Sequence, residues 1–367
     1  MPDQPSPRLG PDACPGAIQV HPALDGGLAR VRVPGGALTA DQWRAVTEAS
    51  ADLGTGGLEL TSRGNLQIRG LAAGAEVPLA ERLSAAGLLP SVTHDRVRNV
   101  VASPLSGRDG RGVLDVRPLV ADLDAALCAD PALAELPGRF LFALDDGRGD
   151  VAGLGADVGL RGGTVLLAGR DSGLRVTPEE AVAALAAAAH AFLAERDGQW
   201  RLSELDDGVE RVAARLGVTP PALPAARPVS WGPIGVVPQV DGRVAVAAAV
   251  PLGRLSPAQA VLLRGAPAVI VTPWRGVVVP DLTDESFLDE AGFATDPDSP
   301  WVGVTACVGS PGCARAHADV RADAVAHHSG HPSHGLPVHW VGCERACGSP
   351  AGEHLRLEAT EDGYVTA

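Results

Sequence analysis

The feature that most constrains this chain is a duplication. Val31-Arg-Val-Pro-Gly-Gly-Ala-Leu-Thr-Ala-Asp-Gln42 and Ala248-Ala-Val-Pro-Leu-Gly-Arg-Leu-Ser-Pro-Ala-Gln259 carry Pro, Gly, Leu, Ser/Thr and Gln at matching places. Thr39-x-x-Gln42 and Ser256-x-x-Gln259 each read as a capping box, in which the hydroxyl and the amide side chain satisfy the first free N–H groups of a helix. Each helix leads to an apolar run, Leu58–Thr61 and Val269–Thr272. An Arg-Gly pair follows, Arg63-Gly64 and Arg275-Gly276, and then a second short strand, Leu66–Ile68 and Val277–Val279. Both copies read strand, helix, strand, turn, strand.

The stretch between the copies is mixed α/β. Phe140–Leu144 and Thr164–Ala168 have the continuous apolar pattern of buried strands. Thr177-Pro178-Glu179-Glu180 opens a helix with a cap, a proline at the first position and acids in the first turn, and the pattern carries it to Glu195. A second helix is expected from Ser203 to near Gly217. Pro220–Pro224 cannot continue a helix and reads as a linker, and Asp296–Pro300 as a second loop before the last segment.

At 367 residues the chain is long enough for two or three domains at ~150 residues each. Its net charge of -14 and 3% aromatic content lack the basic footprint and stacking platforms of a nucleic-acid binder. Every cation is arginine; there is no lysine, which excludes Schiff-base chemistry and the Gly-Lys-Ser/Thr phosphate loop. Met1–Pro5 shows no secretory signal, and the most apolar stretch, Ala181–Ala194, is too short to span a bilayer. The expectation is a cytoplasmic protein with no membrane partner, in which six cysteines serve as metal ligands or free thiols rather than disulfides.

Four of those cysteines lie in the last segment. Cys307 and Cys313 are separated by five residues, with Pro311 and Gly312 bending the interval. Cys343 and Cys347 are separated by three and bracketed by Gly342 and Gly348. Four thiolates suit a 4Fe-4S cluster or a tetrahedral zinc. The five-residue interval is wider than structural zinc sites usually use. Cys14 and Cys128 stand apart and read as inert thiols.

With these residues in view, the chain resembles the nitrite/sulfite reductase superfamily. The resemblance rests on Leu60-Thr-Ser-Arg-Gly-Asn-Leu-Gln-Ile-Arg-Gly70, on Arg98-Asn-Val-Val-Ala-Ser-Pro-Leu-Ser-Gly107, on Leu136-Pro-Gly-Arg-Phe140 and on the Cys-x5-Cys…Cys-x3-Cys pattern. Within that superfamily it is similar to the precorrin-3B synthases of aerobic cobalamin biosynthesis. That similarity is carried by Asp12–Gly16, Asp25–Arg32, Trp274-Arg275 and Gly342–Cys347.

The resemblance implies an α/β (α+β) fold. Two ferredoxin-like half-domains, 1–92 and 225–295, would form a pseudo-twofold module. Two reductase-like α/β domains, 93–224 and a cluster-binding 296–367, would flank a tetrapyrrole cleft. It also implies that Cys307, Cys313, Cys343 and Cys347 hold a 4Fe-4S cluster, and that Arg63, Arg98, Asn99 and Arg139 bind tetrapyrrole carboxylates. Guanidinium groups suit that task, since they hold carboxylates bidentately and keep their charge.

One position departs from the family pattern. Sulfite reductases carry two basic residues, one position apart, after the Leu-Pro pair; here the first is Arg139 and the second place is Leu141, followed by Phe142. The loss of that cation counts against reduction of a small oxyanion. The chain is also short for a sulfite reductase subunit. Both points favour O2-dependent hydroxylation and lactone formation on precorrin-3A. The alternatives are a sirohaem-dependent nitrite or sulfite reductase and a non-catalytic zinc protein. The resemblance further implies a mononuclear non-haem iron, and leaves sirohaem open as a less favoured cofactor. Electrons would come from NADH through a separate reductase, since Gly153–Gly159 has the wrong spacing for a dinucleotide fingerprint. His327, His328, His331 and His334 read as a solvated loop rather than iron ligands.

Overall fold

The computed structural model describes residues 14–288, 291–327 and 335–366. It is a mixed α/β protein whose described strands form four sheets. The chain divides into two compact units. One comprises Cys14, Arg32–Gly35 and Pro90–Val229, and the other Pro15–Val31, Gly36–Leu89 and Ser230–Ala367.

The second unit contains both copies of the repeat. The first copy forms a sheet ordered His21–Ala23, Gly26–Val31, Leu66–Leu71, Leu58–Leu60 and Arg254–Leu255. The second is ordered Gly235–Pro238, Val244–Ala249, Gly276–Leu282, Ala268–Val271 and Ala37–Thr39. The last strand of each sheet comes from the other copy. Arg254 pairs with Glu59 and Leu255 with Leu58, while Thr39 pairs with Ala268 and Ala37 with Ile270. Each copy thus covers an edge that would otherwise present unpaired backbone groups. Gly36 makes one of these crossings feasible. It has φ +75°, and a Cβ there would lie 2.0 Å from the Val271 carbonyl oxygen.

Both capping boxes are formed. Thr39 Oγ1 accepts from Gln42 N at 3.2 Å and Gln42 Oε1 from Thr39 N at 3.1 Å. Ser256 Oγ and Gln259 Oε1 do the same at 3.2 and 2.9 Å. They open the helices Ala40–Leu53 and Pro257–Leu262. Trp43, fully buried, donates its indole N–H to Ala260 O at 3.0 Å and ties one helix to the other.

The same unit ends in a four-stranded sheet. Val304–Ala306, Val338–Val341 and Leu355–Thr360 run parallel, and Gly363–Thr366 returns antiparallel. The helix Val320–His327 connects the first two strands.

In the other unit, Val100–Ala102, Phe142–Asp145 and Val158–Arg161 run parallel, and Thr164–Leu167 and Arg170–Arg175 return antiparallel. Here the helix Arg117–Ala129 follows the first strand. The first four strands of this sheet repeat the order and directions of the four-stranded sheet, and Arg170–Arg175 adds a fifth at its edge, so the duplication extends further than the sequence match revealed. The helix Pro178–Glu195 spans the expected residues. The next helix differs: Leu202–Glu204 is a 3-10 turn, and the α-helix runs only from Gly208 to Arg215. The break falls at Asp207, whose φ of 51° is left-handed and cannot continue a helix.

Candidate functional site

The four paired cysteines all sit at one end of the cysteine-bearing sheet. Cys307 directly follows Val304–Ala306, and Cys343 lies two residues beyond Val338–Val341 on the adjacent parallel strand. The carboxyl ends of parallel strands are where open α/β sheets place their ligands. Cys307 N donates to Trp340 O at 2.9 Å, and Gly342 N donates to Cys307 Sγ at 3.2 Å. Cys313 N reaches back to Gly309 O at 2.9 Å, closing the first interval into a compact turn, and Ala346 N bonds Cys343 O at 3.1 Å in the second.

The thiols influence one another. Burial pushes the Cys347 thiol up, and the neighbouring Cys307, Cys343 and Cys313 push it further. Burial also raises Cys307, while the N–H groups of Gly342 and Gly309 pull the other way. Four cysteine side chains at one end of a parallel sheet, one of them already receiving a backbone N–H on its sulfur, are ligands of the kind an iron–sulfur cluster takes. The donor set therefore fits an iron–sulfur core. A single tetrahedral zinc needs its four sulfurs roughly 3.8 Å apart. Among the described residues, no three His, Cys, Asp or Glu side chains converge closely enough to hold one ion. His328, His331 and His334 lie outside the described residues.

Several side chains hold the cysteine loops. His339 is fully buried. One ring nitrogen lies 2.8 Å from Thr305 Oγ1 and the other 3.1 Å from Cys347 O. Burial and the neighbouring Arg275 pull its pKa down to about 3, so it is neutral. Arg275, 7% exposed, donates to Gly348 O. Burial alone pulls its pKa down to about 10, with Glu59 opposing. Arg321 donates through Nε to Cys307 O at 3.0 Å and pairs through Nη2 with Glu59 at 2.6 Å. Arg69 is bidentate to Asp25 at 2.7 and 2.8 Å and lies 3.9 Å from Glu59.

The residues assigned to tetrapyrrole carboxylates are placed unequally. Arg63, in the cysteine-bearing unit, is half-buried on a turn where Thr61 Oγ1 accepts from the N–H groups of Arg63 and Asn65 at 3.3 and 3.1 Å. Arg98, Asn99 and Arg139 lie in the other unit. Arg98 has a 3% exposed side chain and is committed to a bidentate pair with Asp124, at 2.7 and 2.6 Å. Asn99 is fully buried and donates to the carbonyls of Arg96 and Gly138 at 3.0 and 2.9 Å, anchoring the loop that carries Arg139. Arg139 is half-buried and forms no ion pair among the described residues. Leu141 is 3% exposed, and its backbone N–H is held by Asp157 Oδ2 at 2.8 Å. Phe142 packs edge-on to Phe140, centroids 5.1 Å apart, inside the core. Leu141 and Phe142 therefore lie in the buried interior, without a cation at the departed position.

Residues 21–86 match the nitrite/sulfite reductase ferredoxin-like half domain. The chain is 30% identical to the ferredoxin–nitrite reductase of Synechococcus elongatus, over 92% of this chain and 78% of that protein. The chain belongs to the nitrite/sulfite reductase family. A second relative in this family is the precorrin-3B synthase of a Sinorhizobium species, 27% identical over 96% of this chain and 81% of that protein. The fold is that of the Mycobacterium tuberculosis NirA protein, with a TM-score of 0.75 and 22% identity over 93% of this chain and 73% of that one. The half-domain match covers the first copy of the repeat. The sheet of the second copy has the same strand order as that of the first.

Glu59, Arg69, Arg321 and His339 escaped the sequence reading. Arg69 lies inside the Leu60–Gly70 motif and the other three lie in none with diagnostic spacing, but the roles of all four come from pairings across long stretches of chain. The one signal within reach was Arg275, which stands at the repeat position of Arg63.

Proposed function

We propose that the protein is an iron–sulfur oxidoreductase of the precorrin-3B synthase type, hydroxylating precorrin-3A with O2 and closing a lactone from a ring acetate. The observation that carries this reading is Leu141. Where the resemblance calls for a second cation to hold a small oxyanion, the chain has a buried leucine with its N–H tied to Asp157. The 27% identity to a precorrin-3B synthase across most of both chains supports it.

A 4Fe-4S cluster on Cys307, Cys313, Cys343 and Cys347 would supply one-electron transfer. The chain's own residues do the remaining work. His339 and Arg275 fix the Cys347-Gly348 backbone from two sides. Arg321 fixes Cys307. A ring carboxylate would be met by the guanidinium groups of Arg63 and Arg139, and Asn99 positions Arg139 through Gly138. Arg98 supports the same strand through Asp124. Electrons would arrive from a separate NADH-dependent reductase.

The 30% identity to a ferredoxin–nitrite reductase favours a second reading, sirohaem-dependent reduction of nitrite or sulfite. Anaerobic purification followed by iron, sulfide and tetrapyrrole analysis separates the readings. The first expects about four irons and four sulfides per chain and no resident sirohaem. Stoichiometric sirohaem supports the second, and one zinc without iron opposes both.

A further inference from the structure

Arg275 is an unusual cation. The other buried arginines beside the cysteine loops each have a carboxylate: Arg69 has Asp25, and Arg321 has Glu59. Arg275 has no carboxylate within 4.0 Å among the described residues; its hydrogen-bond acceptor is the neutral carbonyl of Gly348, next to Cys347. It holds that position at a cost. Its backbone is left-handed at φ 56°, uncommon for a residue with a side chain. Gly253 makes room for it, since a Cβ there would lie 2.6 Å from Arg275 Cδ.

An isolated buried cation is expensive unless an anion offsets it. We infer that Arg275 is the buried countercharge of the four-cysteine centre and that its charge raises the reduction potential of the cluster held there. This rests on the 4Fe-4S reading above. A cluster on four thiolates is anionic, and one-electron reduction adds a further negative charge to it. A fixed cation beside the Cys347 loop stabilises the reduced form more than the oxidised form. The duplication supplies the arginine. Arg63-Gly64 and Arg275-Gly276 occupy matching turns of the two half-domains. The first copy leaves its arginine half-buried, and the second buries it against the cysteine-bearing loop.

The test is a potentiometric titration with dithionite, read by electron paramagnetic resonance of the reduced cluster, on protein whose iron and sulfide have first been counted. Arg275→Gln lowers the ratio of reduced to oxidised cluster at fixed potential about tenfold, 59 mV for a one-electron couple. Arg275→Lys, which keeps the charge, stays within about threefold of wild type. Glu59→Gln, which removes the carboxylate that Arg275 senses, moves the ratio in the opposite direction. A purely structural arginine gives no such opposed pair of shifts. Arg275→Gln with full iron and an unchanged potential overturns the inference. If Arg275→Gln loses its iron, Arg275→Met, which keeps much of the side chain's length without its charge, decides: a downward shift supports the inference and an unchanged potential overturns it. Wild-type protein with no iron overturns the cluster reading itself.

Discussion

Gly342 donates its backbone N–H to the sulfur of Cys307 at 3.2 Å, joining the carboxyl ends of two adjacent parallel strands. A donor aimed at sulfur favours thiolate over thiol. The bond places the first ligand of one cysteine pair against the start of the other. Cys307→Ser, Cys313→Ser, Cys343→Ser and Cys347→Ser should each abolish the charge-transfer absorption of the cluster. Cys14→Ser and Cys128→Ser should leave it intact, since both residues belong to the unit without the four ligands. Full iron and sulfide in any of the first four variants contradicts the ligand set.

Arg98 and Arg139 separate by experiment. Arg98→Ala leaves Asp124 without its bidentate partner and should cost roughly 2–3 kcal/mol in denaturant unfolding. Arg139→Ala should cost less than about 1 kcal/mol, yet weaken tetrapyrrole binding about tenfold or more, the loss of one charge-assisted hydrogen bond. Arg63→Ala should weaken binding similarly. Equal destabilisation by Arg98→Ala and Arg139→Ala would assign both residues to structure alone.

Leu141→Lys tests whether the departed position can be reverted. Leu141 is buried beside Phe140 and Phe142, so a lysine there places an unpaired charge in the interior. The expected result is a loss on the order of 3 kcal/mol with no gain in sulfite binding. A stable variant that binds sulfite shows that the position opens onto a cleft.

Asp150 gives the stability a pH dependence. Burial, reinforced by Asp145 and Asp146 and opposed by a hydrogen bond from Ser103 Oγ at 2.5 Å, raises its pKa from 3.8 to about 6. A carboxyl raised on folding stabilises fully below its unfolded value, and that contribution is lost as pH climbs through about 6. Asp150→Asn should therefore stabilise the fold above pH 6 by on the order of 2 kcal/mol, read as a higher melting temperature, and match wild type near pH 4. A difference constant across this range removes Asp150 as its source.

Much of this architecture was legible in the sequence because it is local. The capping boxes at Thr39 and Ser256, the helix opened by Thr177 and the two Arg-Gly turns depend on residues within a few positions of one another. The exchange of Ala37–Thr39 and Arg254–Leu255 between the two sheets was not legible. Pairing between residues 195 to 233 positions apart leaves no local pattern. The same limit hid the partner of Arg98, which lies a helix away at Asp124. The motif marked that arginine as important without showing that its fork is already occupied.

The second copy of the α/β sheet also had no signature, because the two copies filled one position with different chemistry. Ser103 follows Val100–Ala102 as Cys307 follows Val304–Ala306. Where the cysteine copy gathers thiols, this one gathers Asp109, Asp146 and Asp150 around Arg148. Arg148 bonds Asp109 at 2.9 Å and Asp146 at 2.7 Å, and Ser103 Oγ accepts from Asp146 N at 3.2 Å.

The most direct measurement follows the fate of oxygen. Reduced protein is supplied with precorrin-3A under isotope-labelled O2, and the product is weighed by mass spectrometry; parallel reactions with a strong artificial donor contain nitrite or sulfite instead. A site without a second cation at Leu141 should place one labelled hydroxyl oxygen in the precorrin and reduce neither anion appreciably. Robust reduction of nitrite or sulfite by the wild-type protein, with no label in the tetrapyrrole, would contradict the monooxygenase reading.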